Sequence, residues 1–304
     1  MVELARAPDG RFGLAYGGDT FNTSVYLARA GVQVAYATAL GDDPYSQGII
    51  DAADREGVAS DLIATLSGRM PGLYLIETSQ DGERSFWYWR DRAAARDLFA
   101  CAETARIVEG IRNAAVVYFS GVTLSLYAPS GLELFAQTLK QARANGARIV
   151  MDSNYRPRGW GGDIERARQT FARFWQLSDI ALPTFDDEQA LWGDATVEAV
   201  AGRLQELGVP EIVVKSGAEG AFVATGRDQR WMPCPERIDP VDTTAAGDSF
   251  NAGYLAIRKA GGTEVEAAEF AHRLAAVVIS HRGAIVPREA TDRVISSRRP
   301  SGER

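Results

Sequence analysis

Residues 242–256, DTTAAGDSFNAGYLA, place three small residues and an acid at the start of a predicted helix. The first N–H groups of a helix have no partner within the helix and lie at the positive end of its dipole. Ala245, Ala246 and Gly247 would let an anion reach those groups, which suits the charge on a phosphoryl group in transfer. Asp248 beside them can accept the proton of an attacking hydroxyl. The alternative is that Asp248 only complements the helix dipole.

A second segment, VVKSGAEGAF, continues a predicted strand into Lys215, Gly217 and Gly220. Glycines at that position can bring the backbone close to a nucleotide, but a glycine-containing hairpin turn would use the same residues. The chain has no GxxxxGK[ST] sequence, which excludes a Walker A loop, and it has no HRD or DFG motif of protein kinases.

Two further segments carry polar side chains behind a turn or a strand. In YGGDTFN, the residues Gly18, Asp19 and Asn22 open a predicted helix, where they either bind a polyhydroxy ligand or cap the helix. In DSNYRPRGW, Asn154 and Arg156 follow a predicted strand. Arginine binds carboxylates and phosphates through paired hydrogen bonds, although a surface loop with solvated arginines is the alternative.

Predicted strands and helices alternate through the middle of the chain. This alternation predicts a parallel sheet covered on both faces, in which ligands bind beyond the carboxyl ends of the strands. Asn154, Arg156, Thr184 and Lys215 all lie at those ends. The predicted strands are 114–121, 147–154, 179–184 and 211–217, and the predicted helices are 129–145, 164–177, 185–192 and 196–207, with C-cap glycines at Gly146 and Gly208.

One region departs from this alternation. Residues 73–90, LYLIETSQDGERSFWYWR, form two alternating runs around Gln80-Asp81-Gly82, which predicts a hairpin rich in tyrosine and tryptophan that ends at Arg90. A hairpin inserted into an α/β chain often covers a site as a lid, whereas the alternative is an edge hairpin with ordinary cross-strand aromatic pairs.

Composition excludes several classes of function. The 304 residues carry a formal net charge of −7, which argues against nucleic acid as a partner. Two cysteines and two histidines without metal-ligand spacing argue against a disulfide framework or a zinc site. No run of about 18 apolar residues and no signal peptide is present, so we expect a cytoplasmic protein without a membrane partner.

Taken in order, these segments resemble the PfkB, or ribokinase-like, carbohydrate kinase family over essentially the whole chain. DTTAAGDSFNAGYLA is a variant of the family's D-T-x-G-A-G-D signature, and GGDTFNTSVYLARAG is similar to its N-terminal signature. The resemblance implies a three-layer α/β/α sandwich with a small β-sheet lid. It places a single domain at residues 1–295 and lid segments at about 11–17 and 72–92. The Arg- and Ser-rich end of the chain predicts a disordered tail at 296–304.

The segments PGLYLIET, GERSFWYWRDRAAA, NYRPRGW, DDEQALWG and RGAIVPREA most resemble the members of the family that act on 2-dehydro-3-deoxy-D-gluconate. The resemblance therefore implies an ATP- and Mg²⁺-dependent kinase that phosphorylates the terminal O6 hydroxyl of this sugar acid. It also implies a homodimer or a higher homo-oligomer. The alternatives are a family kinase for fructose, ribose or a nucleoside, and a non-catalytic sugar-binding relative.

The resemblance also implies a role for each matched residue. Asp248 would be the catalytic base, and the backbone N–H groups of Ala245, Ala246 and Gly247 would form the anion hole. Gly18, Asp19 and Asn22 would hold sugar hydroxyls. The remaining roles are Tyr74, Tyr88 and Arg90 closing over the substrate with Arg90 facing its carboxylate, Arg156 bridging substrate and phosphate, Asn154 and Thr184 on the nucleotide side, and Lys215, Gly217 and Gly220 lining the ATP pocket.

Two departures from the family pattern stand out. The family's N-x-x-E motif, tied to magnesium and phosphate, is replaced here by Thr184 and Asp187, so Asp187 is expected to serve the metal through water while phosphates hold most of it. The family's first apolar strand has no counterpart before Met1. We therefore expect the natural protein to start about 10–20 residues earlier, the length of one strand and its turn.

Overall fold

The computed structural model describes residues 1–6, 9–78, 84–236 and 238–297. The predicted hairpin turn at residues 80–82 and most of the predicted tail, residues 298–304, lie outside the described residues. In the part that is described, no helix is both long and apolar enough to cross a membrane.

The first half of the chain contributes short strands, a lid and three helices. Its elements are β1 (Val2–Arg6), β2 (Phe12–Tyr16), α1 (Asp19–Arg29), β3 (Val34–Ala35), β4 (Thr38–Leu40), α2 (Pro44–Glu56), β5 (Val58–Ala59), β6 (Ile63–Thr65), β7 (Leu73–Thr78), β8 (Arg84–Trp89) and α3 (Thr104–Arg112).

The second half builds the main sheet and its covering helices. Its elements are β9 (Val116–Ser120), α4 (Gly121–Leu126), α5 (Pro129–Ala144), β10 (Arg148–Asp152), α6 (Ile164–Trp175), β11 (Ile180–Ala181), α7 (Phe185–Trp192), α8 (Val197–Glu206), β12 (Glu211–Ser216), β13 (Gly220–Thr225), β14 (Asp228–Pro233), α9 (Ala246–Lys259), α10 (Glu264–Ile279) and α11 (Arg288–Ser296).

Local chemistry sets the helix boundaries. Gly146 and Gly208 follow α5 and α8 with φ of 96° and 90°, a left-handed backbone that glycine adopts without strain, so the two predicted C-cap glycines are confirmed. At the other end, the Thr263 side chain caps α10 by accepting from the Glu266 N–H, and the Glu266 carboxylate accepts from the Thr263 N–H in return.

The main sheet has six strands in the order β14-β13-β12-β11-β10-β9. Strands β9 to β12 are parallel, as the alternation of strands and helices predicts. The sheet then continues through β13 and β14, which run antiparallel to their neighbours. The prediction of parallel strands does not cover β13 and β14. A single short turn, Gly217–Glu219, joins β12 to β13, and so short a connection links only antiparallel strands.

Helices cover both faces of the main sheet, which confirms the three-layer sandwich. Along β10, Ile149 and Met151 pack on one face with α3, α5, α6 and α8. Val150, between them, packs on the other face with α1, α9 and α10. This alternation follows from the period of two in a strand and gives the sheet an apolar core on each side.

A four-stranded sheet in the order β2-β1-β7-β8 forms the lid. Strands β2, β7 and β8 lie within the segments predicted for the lid, whereas β1 is an additional strand that the sequence does not predict. β1 pairs with β7 in parallel and with β2 antiparallel. The register places two rows of side chains on opposite faces: Leu14, Leu4, Leu75 and Trp87 on one, and Ala15, Glu3, Tyr74 and Tyr88 on the other.

Helix α9 packs closely against α10 at Gly253. A Cβ atom added to Gly253 would lie 2.9 Å from the Cα atom of Ala271. The neighbour is backbone and cannot rotate away, so only glycine allows the two helices to approach this closely. The contact holds α9 against the core about one and a half turns from Asp248.

Among the described residues, β9 pairs with β10 alone. A groove of about 630 Å³ lined by residues of β9, β3 and α1 lies beside it. The structure does not test the expected strand before residue 1, which stays a prediction.

Candidate active site

The predicted site residues converge on one cavity of about 680 Å³ between the lid and the carboxyl ends of β10 and β12. Of the predicted residues, Gly217 and Gly220 do not line it. Those that do are Gly18, Asp19, Asn22, Tyr74, Tyr88, Arg90, Asn154, Arg156, Thr184, Asp187, Lys215, Ala245, Ala246, Gly247 and Asp248.

The first turn of α9 forms one wall of the cavity. Ala245 precedes the helix with φ of 61°, a left-handed conformation that a residue other than glycine rarely adopts. Such strain is typical of functional sites, where the surrounding structure holds the backbone in place. Of the three predicted donors, the N–H of Ala246 already donates to the Thr243 carbonyl oxygen at 3.2 Å. Gly247 has no side chain to shield the helix N-terminus from the cavity.

Asp248 is the acid of this wall, and its pKa is strongly shifted. Desolvation in the cavity raises the pKa of Asp248 to about 7, and the neighbouring charge of Asp19 adds to the rise. Asn22 opposes the rise, because its Nδ2 donates to Asp248 Oδ2 at 2.8 Å. A carboxyl with a pKa near neutrality is suited to act as a general base.

The start of α1 forms the adjoining wall. Gly18 has φ of 135°, a value open to glycine, and it lets the chain turn directly into the helix at Asp19. Asp19 Oδ2 accepts hydrogen bonds from the Ser120 hydroxyl and, at 3.0 Å, from Asn154 Nδ2. The Asn154 amide, predicted to face the nucleotide, therefore contacts Asp19. The buried Oδ1 of Asn22 has no hydrogen-bond partner among the described residues and is open to a ligand hydroxyl.

Two arginines bring positive charge into the cavity. The Arg90 guanidinium lies over the Tyr88 ring, 4.9 Å from its centroid, and desolvation lowers the pKa of Arg90. Arg156 Nη1 donates to Asp187 Oδ1 at 2.9 Å and to the Tyr155 carbonyl oxygen. Arginine remains protonated at neutral pH, so both side chains can bind an anionic group.

The inner face of the lid closes the cavity from above. The Tyr74 hydroxyl donates to Glu3 Oε2, and both residues are buried. Burial and the charge of Glu3 raise the pKa of Tyr74, so its hydroxyl stays protonated as a donor. Tyr88, directly opposite Tyr74 in the register, packs against it with 6.0 Å between the ring centroids.

Comparison with known proteins assigns the chain to a family. A family model described as "pfkB family carbohydrate kinase" matches residues 3–291. The chain belongs to the PfkB family of carbohydrate kinases.

Named relatives of this kinase are similar over nearly their full length. A 2-dehydro-3-deoxygluconokinase of Escherichia coli K12 is 44% identical over 298 residues, which cover 95% of this chain and 96% of that protein. A crystal structure of 2-dehydro-3-deoxygluconokinase from Thermotoga maritima superposes with a TM-score of 0.82 at 22% identity, covering 98% and 96% of the two chains. A putative ribokinase II of Escherichia coli in complex with ATP and Mg²⁺ superposes with a TM-score of 0.81 at 22% identity, covering 98% and 96%.

The two glycines outside the cavity shape the hairpin between β12 and β13 of this PfkB kinase. Gly220 has φ of 132°, and a Cβ atom there would lie 2.3 Å from the Met232 carbonyl oxygen. Gly217 has φ of 51° with open space around it. Gly220 therefore meets a packing requirement of β13 and β14, as the hairpin interpretation of this segment expects.

Asp187, which is expected from the sequence to serve a metal through water, lines the cavity. It lies in the first turn of α7, whose N-cap is Thr184. Desolvation raises its pKa, while the paired charge of Arg156 opposes the rise. No group of three or more histidine, cysteine, aspartate or glutamate side chains in the described ranges could hold a metal by itself. This donor set fits a Mg²⁺ ion held mainly by phosphates and water.

The sequence does not predict three residues of the site. Glu3 lies on the inner face of the lid, Ser120 binds Asp19, and Asn251 lies one turn beyond Asp248 on α9. Each is a polar residue in an otherwise apolar strand or helix, which is the signal that points to it. A polar residue in an apolar segment does not indicate which residue it contacts, because the hydrogen-bond partner is distant in the chain.

Proposed function

We propose that this PfkB kinase transfers the γ-phosphoryl group of ATP to the O6 hydroxyl of 2-dehydro-3-deoxy-D-gluconate. The observation that carries the proposal is the 44% identity to the kinase of that name over 95% of the chain. The cavity supports it, since it combines a base near neutrality with two arginines for a carboxylated sugar.

Asp248 accepts the proton of the attacking hydroxyl in this reaction. The O6 oxygen then attacks the γ-phosphorus, a new P–O bond forms, and the bond to the bridging oxygen of ADP breaks with its electron pair leaving on ADP. Asn22 holds the carboxylate in place through its hydrogen bond at 2.8 Å. The backbone N–H groups at the start of α9, with Gly247 at the centre, stabilise the charge that develops on the transferred group.

The substrate carboxylate would lie near Arg90, and Arg156 would bridge the substrate and the transferred phosphate. Arg156 uses only Nη1 for its pairing with Asp187 at 2.9 Å and for the Tyr155 carbonyl oxygen, so its other N–H donors would bind phosphate while the pair is kept. The second oxygen of the Asp187 carboxylate would accept a hydrogen bond from a water of Mg²⁺, and the ion would neutralise phosphate charge when bound. Asp19 and the open Oδ1 of Asn22 would accept hydrogen bonds from sugar hydroxyls.

The first experiment is ADP release with MgATP and 2-keto-3-deoxygluconate, beside fructose and ribose. We expect turnover of the keto-acid only, and an Asp248→Asn variant should lose about 10²- to 10⁴-fold in kcat because the base is gone. Asp228→Asn, an exposed aspartate on β14, is the matched control and should behave as wild type. Turnover of fructose or ribose instead would overturn the substrate, and silence on all three sugars would overturn the kinase activity.

We further propose that the protein acts in the cytoplasm as a homodimer that pairs through the outer face of the lid. Support comes from four apolar residues of β2 and β8 that are about half exposed on that sheet. Their exposed fractions are 49% for Phe12, 50% for Leu14, 50% for Trp87 and 57% for Trp89. An apolar sheet face of this kind is a typical protein interface.

A further inference from the structure

A lysine lies buried beneath the first turn of α9. Lys215 lies near the carboxyl end of β12, and its side chain is 9% exposed. Its Nζ donates to Asp152 Oδ1 at 3.1 Å and to Asn251 Oδ1 at 2.9 Å. A Cβ atom built on Gly247 would lie 3.6 Å from this Nζ. A side chain at residue 247 would therefore touch the ammonium group, which faces the first turn of α9 across the space that this glycine leaves open.

Asp152 and Asn251 complete a triangle with Lys215. Asn251 Nδ2 donates to Asp152 Oδ2 at 2.9 Å and to the Tyr118 hydroxyl at 3.0 Å, which directs its Oδ1 toward the lysine. Asn251 follows Asp248 by three residues, so the two occupy neighbouring turns of one helix. The triangle thus ties the helix that carries the base to β10 and β12.

A connection also runs to the sugar side of the cavity. Thr23 Oγ1 of α1 lies within hydrogen-bond distance of the Asp19 carbonyl oxygen at 3.1 Å, the Asp248 carbonyl oxygen at 3.2 Å and the Tyr118 hydroxyl at 3.4 Å. It donates its single proton to one of the carbonyl oxygens and can accept from Tyr118. The hydrogen bonds from Lys215 through Asn251 and Tyr118 therefore reach the helix that presents Asp19 and Asn22. Buried networks of this kind hold their members in one arrangement when every group is satisfied.

We propose that Lys215 is a positioning residue for phosphoryl transfer, which holds a positive charge beneath the anion hole and fixes the first turn of α9 through Asp152 and Asn251. The proposal rests on the proposed kinase function and deepens it. In a site from which water is excluded, a fixed cation stabilises charge on the transferred phosphoryl group far more than it would in water. Its effect is expected in the transfer step, measured by kcat, more than in nucleotide binding, measured by KM.

The pH profile supplies a readout that packing alone would not change. Asp248 faces the negative charges of Asp19 and Asp152, which raise its pKa, and the positive charge of Lys215, which lowers it. The tyrosines within reach of its charge are Tyr26, Tyr74 and Tyr118. Removal of the lysine charge should move the acidic limb of kcat to higher pH, and removal of Asp152 should move it back.

The test compares kcat and KM between about pH 5 and pH 9 in wild type, Lys215→Met and the double variant Asp152→Asn/Lys215→Met. We expect Lys215→Met to lose on the order of 10²-fold in plateau kcat, with little change in the KM for ATP and a limb shifted to higher pH. In the double variant, the acidic limb of the kcat profile should return toward its wild-type pH, whereas the plateau value of kcat should stay low. Lys140→Met, which removes an exposed lysine of α5, should match wild type.

The double variant keeps the test decisive if Lys215→Met alone does not fold, since it leaves no buried carboxylate without its cation. Either variant, folded and with the wild-type plateau and limb, would overturn the proposal. Loss of folding in both variants would assign the triangle to stability and overturn it as well. A wild type that is inactive on all three sugars counts against the proposed function, whereas an active wild type with unaffected variants counts against Lys215 alone.

Discussion

Asp248 combines two properties that oppose each other, burial in the cavity and the negative charge that its proposed role as a base requires. Its carboxyl has a pKa of about 7, above the ordinary value of 3.8, because desolvation and Asp19 disfavour the ionised form. The unfolded chain ionises this group at much lower pH. Between the two values the folded state binds the proton and the unfolded state does not, so this residue makes the protein less stable as pH rises.

This linkage predicts that Asp248→Asn, the variant expected to lose most of its turnover, stabilises the protein. The asparagine Oδ1 can still accept from Asn22, and the pH-dependent loss disappears. We expect the variant to match wild type near pH 4 and to exceed it by about 2–4 kcal/mol in free energy of unfolding above pH 7. Urea unfolding of both proteins across this range checks the prediction, and a constant difference at all pH values would contradict it.

The proposed base and anion hole can be singled out in the sequence because they lie next to each other in the chain. Ala245 to Asp248 form one local pattern that fits an anion site, but the pattern alone leaves open that Asp248 only complements the helix dipole, and the resemblance to the family decides between the two. Glu3 and Ser120 are not predictable, since their partners lie 71 and 101 residues away. The sequence alone does not show which strand ends lie beside which helix N-termini, because that depends on the order of the strands in the sheet.

At the scale of the element, α9 depends on how tightly it packs. Gly253 brings it against Ala271 of α10, and its first turn presents the proposed anion hole. The prediction of α9 itself succeeds because its apolar spacing is periodic. The extra lid strand β1 escapes prediction because its parallel pairing with β7 joins residues about seventy positions apart, and no local pattern records that contact.

A matched pair of glycines tests this packing. Gly253→Ala should destabilise the protein by about 1–3 kcal/mol because the new methyl group meets the Ala271 backbone, and it should lower kcat by displacing the first turn of α9. Gly202→Ala, in α8 with open space around it, should stabilise by up to about 1 kcal/mol and leave kcat unchanged. Thermal and urea unfolding with parallel kinetics decide the matter, and equal effects at both positions would contradict it.

For the whole molecule, the lid has a distinct inner and outer face. The strand register sends Glu3, Tyr74 and Tyr88 to one face and Leu4, Leu14 and Trp87 to the other. The inner face contributes to the cavity, and the outer face exposes apolar area that a second copy of the chain would cover.

Dimerisation through the outer face predicts that Leu14→Glu produces a monomer, because a carboxylate cannot be buried there without a partner. Ile164→Glu, an exposed position at the start of α6, is the matched control and should leave assembly unchanged. Light scattering during gel filtration gives the mass of each species. A wild-type monomer, or a Leu14→Glu variant that still dimerises, would exclude this interface.

The close contact at Gly253 has a consequence for how such kinases diverge. Helix α9, which carries the proposed base, cannot shift relative to α10 without disrupting the core, so few substitutions are tolerated at this contact. The lid meets the substrate through a thin sheet with one face outside the core, where sequence can vary at small cost to folding. A duplicated gene could therefore acquire a new acceptor by altering its lid while the phosphoryl-transfer machinery passes unchanged to each descendant.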